Sequence, residues 1–248
     1  LVPPLTPDEA AELNKCFLRD TATAISVCCS GGLRPPGAAS ARPHPGAHRA
    51  PQQCSAIAAY TPIGAESVYS DILPPDFCLL PQRGDKFGER LYFAVEDLFK
   101  CGFDSVCLID SDSPTVPAEN FAEAVELLSA TEDRVILGPS DDGGYYLIGV
   151  KKPHRHLFEQ IDWSTERVLN QTVERATEIG VDIKLLPTGY DVDDEASLRR
   201  LCNELLADTK SADIAPFTQR FLASFVERGK LSGQALAAAR APNVKRNQ

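Results

Sequence analysis

The chain has 248 residues, 43% of them hydrophobic and 24% charged, with a formal net charge of −10. That length suits one large domain or two small ones around a proper core, and the ordinary composition reads as a globular protein. The acidic balance argues against a nucleic-acid partner, whose phosphates need basic surface, but not against a local phosphate site, because a metal ion reverses the local field.

Residues 6–25 read as a helix, with Thr6 as N-cap, Pro7 in the first helical position and Glu9 completing a capping box. Ala10, Leu13, Phe17 and Ile25 fall near one face of it. From Cys28 to Cys54 the composition turns to Pro, Gly, Ala and Arg. Three arginines and no acidic residue give this stretch +3, so subtracting +3 from −10 leaves −13 on the remainder. It has too little apolar surface to bury, and disorder is the expectation for 28–54. Strands are then expected at 55–60 and 77–81, and a helix from Phe87 closed by Gly102. A short apolar run at 105–110 reads as a buried strand, followed by a helix from Pro117. Strands at 133–139 and 143–150 come next, then a helix capped by Ser164 and ended by Gly180. A strand at 181–187 and helices at 193–207 and 214–229 complete the pattern.

Strands alternating with helices predict an α/β fold with a mostly parallel sheet and helices on both faces. The expected organisation is one domain over 1–228, carrying the 28–54 insertion, with a basic tail at 229–248. No apolar run reaches the roughly 20 residues of a membrane helix. The opening LVPPLTPDEA lacks the basic-then-apolar pattern of a secretory signal, so a cytoplasmic location is expected. There is no Met, and the chain opens directly before a Pro-Pro pair, so an incomplete N-terminus is expected. The eight cysteines form no CxxC pair and read mostly as small buried hydrophobes in a reducing compartment. Cys28, Cys29, His44, His48 and Cys54 bring thiols and imidazoles into one segment, but their spacing matches no zinc pattern.

Ligands of α/β sheets bind beyond the carboxyl ends of strands, so the segments after strands carry the chemistry. LIDSDSPT, at 108–115, ends an apolar strand with Asp110 and Asp112. Two residues apart in extended chain, they point to one side. Such a pair can hold Mg²⁺ or Mn²⁺ against a diphosphate, or simply cap the next helix. PSDDGGYYLIG, at 139–149, follows the next buried strand. Gly143 and Gly144 permit close backbone approach, and Asp141 and Asp142 offer acceptors for sugar hydroxyls. The plainer reading is a hairpin turn, and both can hold. In GYDVDDEASL, Asp191, Asp193 and Asp194 precede a helix, where N-capping is the simpler role. Gln82 follows an apolar stretch, and its amide has the donor and acceptors to read a base edge.

Five segments in order, QRGDKFGERL, LIDSDSPTVP, GPSDDGGYYLIG, WSTERV and YDVDDEASLRRL, resemble one family. It is the GT-A-like, radical-SAM/selenodomain-associated transferase family, also described as arsenosugar-type glycosyltransferases, within the nucleotide-diphospho-sugar transferases. The resemblance covers residues 1–27 and 55–228. It implies that Asp110 and Asp112 are the DxD pair holding Mg²⁺ or Mn²⁺, and that Asp193 completes the metal site. It implies nucleotide contacts at Gln82 and Gly88, and sugar or acceptor contacts at Asp141, Asp142, Gly143, Gly144 and Trp163. Asp142 is the candidate catalytic base. The family begins with a strand and a basic segment ending in a Lys-Thr-Arg-Leu-like string. Here the chain opens at the last residue of that string, Leu1, so the first strand is expected to be missing. The insertion at 28–54 is foreign to the pattern.

The function this implies is metal-dependent glycosyl transfer from a nucleotide-diphospho-sugar donor to a small-molecule acceptor, with no nucleic-acid or membrane partner. One alternative is nucleotidyl transfer of the phospholactate guanylyltransferase or molybdopterin type. Another is a degenerate, non-catalytic nucleotide-binding or scaffold protein.

Overall fold

The structure is a computed structural model that describes residues 1–30, 54–207 and 213–228. Of the disorder expected over 28–54, residues 31–53, with His44 and His48, lie outside the described residues, as does the loose tail at 229–248. At 28–29 the expectation gives way, because the first helix runs on from Pro7 to Cys29. Backbone contacts divide the chain into two compact units. One comprises Ala22–Asp110 and Val116–Tyr190, the other Leu1–Thr21, Ser111–Thr115 and Asp191–Gln248.

The first of these carries all the strands among the described residues. β1 (Ile57–Tyr60) and β2 (Cys78–Pro81) pair in parallel, with the short helix α2 (Glu66–Tyr69) between them in sequence. The second sheet has the order β3-β5-β4-β6, from β3 (Val106–Ile109), β4 (Arg134–Pro139), β5 (Tyr145–Val150) and β6 (Asp182–Leu185). β4 and β6 are parallel, whereas β5 runs antiparallel to both its neighbours.

Side-chain alternation divides the core of this sheet between its two faces. Val135, Leu137, Ile148 and Val150 pack with Val95 of α3 (Phe87–Lys100), Ala176 of α5 (Val168–Glu178) and the 3₁₀ residues Leu157 and Phe158. Ile136 and Leu147 pack with Phe121, Ala124 and Leu128 of α4 (Ala118–Leu128). Ala24 and Ile25 of α1 (Pro7–Cys29) join that second cluster. Covering both faces explains why β4 reads as a continuous apolar run: Val135, Ile136 and Leu137 are each 0% exposed.

The α/β class, the parallel-rich sheets and the helical cover on both faces follow the sequence reading. β5 runs antiparallel to its neighbours, as the hairpin reading of 139–149 implies, for a simple reason. Only residues 140–144 separate β4 from β5, whereas a parallel crossover needs a dozen or more. The turn chemistry of DDGG therefore decides the strand's direction. Helix α5 also begins later than expected, at Val168 rather than near Ser164. Ser164 takes a left-handed φ of 62°, and the first helical turn is held by a contact described below.

In the other unit, Leu13 and Phe17 of α1, Leu198, Leu201 and Leu205 of α6 (Glu195–Ala207), and Leu222 and Phe225 of α7 (Pro216–Glu227) are buried. The capping box at the start of α1 forms as read. Glu9 Oε2 accepts from Thr6 N–H at 2.9 Å, and Thr6 Oγ1 accepts from Glu9 N–H at 3.3 Å. A cap the sequence did not reveal is Asp20. Its carboxylate accepts the N–H groups of Phe217 (3.0 Å) and Thr218 (2.8 Å), at the start of α7. Burial raises its pKa, and those hydrogen bonds work against the rise.

Candidate active site

The QRGDKFGER segment folds into a braced loop at the end of the parallel β1–β2 pair. Gln82 N–H donates to Tyr60 O at 2.8 Å, which extends that pairing by one residue. The Glu89 carboxylate accepts the N–H groups of Asp85 and Lys86, each at 3.2 Å, and so caps α3. Electrically, Arg83 is committed to α3: it pairs with Glu96 and Asp97 at 2.7 Å and lies over the Phe93 ring at 3.8 Å. Lys100 and Arg83 hold the Glu96 carboxyl well below its usual range, at about 2. The half-buried Gln82 is thus left at a fixed strand end.

Gly88 is buried in the first turn of α3. A Cβ there would lie 2.6 Å from both Phe158 O and Trp163 Nε1. Phe87, 56% exposed, meets Trp163 edge-on at 5.1 Å between ring centroids. Trp163 is the only tryptophan in the chain, so its fluorescence reports this contact. Gly88→Ala is expected to displace the indole and shift its emission relative to the parent protein. An unchanged spectrum would show that the close packing is absent.

The turn at 140–144 is built by its own polar groups. Gly143 N–H donates to Ser140 O at 3.2 Å, and Asp142 Oδ1 accepts from Gly144 N–H at 2.8 Å. Gly143 has a φ of +95°, and a Cβ on it would collide with the backbone of Glu166. Gly143 O in turn accepts from Leu169 N–H at 2.9 Å. That carbonyl occupies one of the free amides at the start of α5, which is why the helix begins where it does. Asp141 and Asp142 are exposed, and Asp141 N–H donates to Gly189 O at 3.1 Å. Gly189 N–H donates to Pro139 O at 2.8 Å, carrying the β4–β6 pairing past the strand ends.

These contacts bring several motifs together in one unit. Gly88 meets Trp163, and three residues after Trp163 the chain meets Gly143. Asp110, just beyond β3, donates its N–H to Tyr146 O at 3.0 Å beside the same hairpin. Within the other unit, Val192 N–H donates to Asp112 O at 3.0 Å, so the backbone before Asp193 is tied to Asp112. Asp194 behaves as the simpler reading has it: its Oδ1 accepts Ser197 N–H at 2.7 Å and caps α6. That bond lowers the Asp194 pKa. Among the described residues no group of three or more His, Cys, Asp or Glu is arranged to hold a metal ion.

Sequence reasoning missed the support beneath the turn. The buried Tyr146 hydroxyl accepts from Asn120 Nδ2 and donates to Pro187 O, both at 2.9 Å. Burial pushes its pKa up to about 12. A Cβ on Gly138 would overlap the Tyr146 ring, so the small residue in the neighbouring strand was the available signal.

A family described as an uncharacterised protein conserved in bacteria (DUF2064) matches residues 47–165. No curated protein matches the chain. No helix among the described residues is long and apolar enough to cross a membrane. Among solved structures, the chain is similar to a provisionally named nucleotide-diphospho-sugar transferase from Desulfovibrio desulfuricans G20. The TM-score is 0.70 at 26% identity, covering 89% of this chain and 84% of that one. The chain therefore has the fold of a nucleotide-diphospho-sugar transferase.

Proposed function

We propose that this protein is a transferase that uses a nucleotide-diphospho-sugar donor and a divalent cation, Mg²⁺ or Mn²⁺, to glycosylate a small-molecule acceptor. The observation that carries the reading is the likeness, over 89% of the chain, to the Desulfovibrio protein of that provisional name. The clustering of Gly88, Trp163 and the 140–144 turn in one unit supports it.

The carboxylates suit a cation that arrives with its substrate. Mg²⁺ commonly takes only one or two protein carboxylates and completes its shell with water and phosphate oxygens. Asp112 and Asp193, joined through the Val192 amide, would supply those two, and Asp110 lies two positions before Asp112 in the same segment. When bound, such a cation offsets the charge that builds on a departing diphosphate.

The chain's own residues have separate tasks in this reading. The Gln82 amide faces the nucleotide, with Gly88 allowing close approach of the helix start. Asp141 and the Gly143–Gly144 backbone bind sugar or acceptor hydroxyls beside Trp163. Asp142 keeps one oxygen on Gly144 N–H, which orients the carboxylate to take the proton of the attacking hydroxyl at its other oxygen.

The test is calorimetric titration of the whole chain with UDP-, GDP- and CDP-linked sugars, with Mn²⁺ and with EDTA. One sugar nucleotide is expected to bind at roughly micromolar Kd, about −8 kcal/mol, and to lose binding in EDTA. Tighter binding of a nucleoside triphosphate would overturn the reading in favour of nucleotidyl transfer. Absence of any nucleotide binding would leave the scaffold reading.

A further inference from the structure

Three thiols converge where α1 ends and the chain enters β1. Cys29 is the last residue of α1, and Cys54 stands three residues before Ile57, the first of β1. Their sulfurs are in contact at 2.7 Å, with the Cys29 thiol donating, although the residues lie 25 apart in sequence. The Cys28 thiol donates to the same Cys54 sulfur. All three are half-buried rather than sealed, and all belong to one compact unit. Cys78 and Cys101 are more exposed.

The arrangement is polarised. Two S–H donors aimed at one sulfur favour its thiolate, and they hold the Cys54 pKa below its ordinary value. Donating to that sulfur, together with burial, raises Cys28 and Cys29, which hold their protons more tightly. Cys54 is the sulfur that both neighbours meet, so the geometry makes it the attacking thiol and Cys29, in contact with it at 2.7 Å, its partner. That is the division of labour of an attacking and a resolving thiol. Cysteines that serve only as small buried hydrophobes have no need of it, and the buried Cys202 shows the plainer case.

We propose that Cys29 and Cys54 are a reversible dithiol–disulfide pair, oxidised by peroxide and reset by a dithiol reductant. In the first step the Cys54 thiolate attacks one oxygen of hydrogen peroxide. The O–O bond breaks, Cys54 becomes a sulfenic acid, and hydroxide leaves and takes up a proton as water. Cys29 sulfur then attacks the sulfenic sulfur. The S–S bond forms, the S–O bond breaks, and the Cys29 proton leaves with the hydroxyl as a second water. Two thiols give up two electrons in total, and one peroxide receives them. Cys28 polarises Cys54 but does not enter the bond.

The structural effect is a covalent tie between the end of α1 and the entry to β1. α1 is already docked nearby, because the Ser26 hydroxyl donates to the Asp76 carboxylate at 2.8 Å. The disulfide therefore fixes an existing contact and does not demand a new one. This inference is independent of the transferase reading.

The experiment uses the reduced full chain, exposed to hydrogen peroxide, blocked with an alkylating agent and digested without reductant for mass spectrometry. The Cys28→Ser variant removes ambiguity between adjacent cysteines. A peptide linking Cys29 to Cys54 is expected, two hydrogens lighter than its parts and released by dithiothreitol. In Cys29→Ser, Cys54 is expected to accumulate as a sulfenic acid trapped by dimedone. A parent protein that links Cys28 to Cys54 overturns the pairing. One that oxidises Cys78 or Cys101 while Cys54 stays a free thiol overturns the proposal altogether.

Discussion

Asp112→Asn is expected to lower Mn²⁺-dependent binding of the nucleotide sugar by on the order of 100-fold. Losing even an outer partner of a metal ligand costs roughly 10–100-fold in affinity, and a direct ligand that loses its charge should cost at least the upper end. Asparagine keeps the shape of the side chain while removing the negative charge that a hard cation needs. The contact to Val192 is made by the Asp112 carbonyl, which the substitution leaves in place. The measurement is the same calorimetric titration, with the melting temperature recorded alongside. Unchanged affinity at an unchanged melting temperature would refute the assignment of Asp112 to the cation.

Gly143→Ala is expected to destabilise the protein by about 3 kcal/mol, the sum of a left-handed backbone penalty and an overpacking penalty. Both causes are visible: a φ of +95° and a Cβ that has nowhere to go but into the Glu166 backbone. For a chain of this size, that corresponds to a fall in melting temperature of roughly 6–12 °C. Gly180→Ala serves as the comparison. Its φ is +68°, but nothing lies within 4 Å of the added atom, so it carries the backbone penalty alone. A Gly143→Ala protein melting within a degree or two of the Gly180→Ala protein would show that the close approach to Glu166 is not real.

The parts of the fold legible in the sequence are those that local chemistry decides. RVILGP and YYLIGV announce two-faced burial by their unbroken apolar runs, and Thr6 with Glu9 announces a helix start. The direction of β5 was also legible in principle, because DDGG is a hairpin signal and five residues cannot make a crossover. The hairpin reading of 139–149 carries that direction, within a sheet whose other three strands run the same way. What stayed hidden depends on residues far apart in the chain. Asp20 caps a helix that begins 196 residues later at Pro216, and no local pattern identifies its partner. Tyr146 reads as a strand hydrophobe until Asn120 and Pro187 are found at its hydroxyl.

The candidate site divides in the same way. Gly143 and Gly144 were legible because glycines in a turn have a steric reason. Gly88 was placed only by resemblance, and its reason, the indole of Trp163, needs the tertiary structure. Ser164 misled because a good capping residue was read without the Gly143 carbonyl, which holds the amide of Leu169.

The inverted strand has a consequence for how the molecule is assembled. β3 and β4 follow one another in the chain, yet β5 lies between them in the sheet. A nascent chain delivered only as far as Pro139 has supplied both strands but not the one that joins them. β3 must wait, unpaired in this sheet, until the chain turns at 140–144 and folds back. The five-residue hairpin is a far cheaper closure than the link to β6, so it is the step that recruits β3 to β4. Joining β3 to β4 and shaping the turn proposed to meet the substrate are then a single event in the life of the chain.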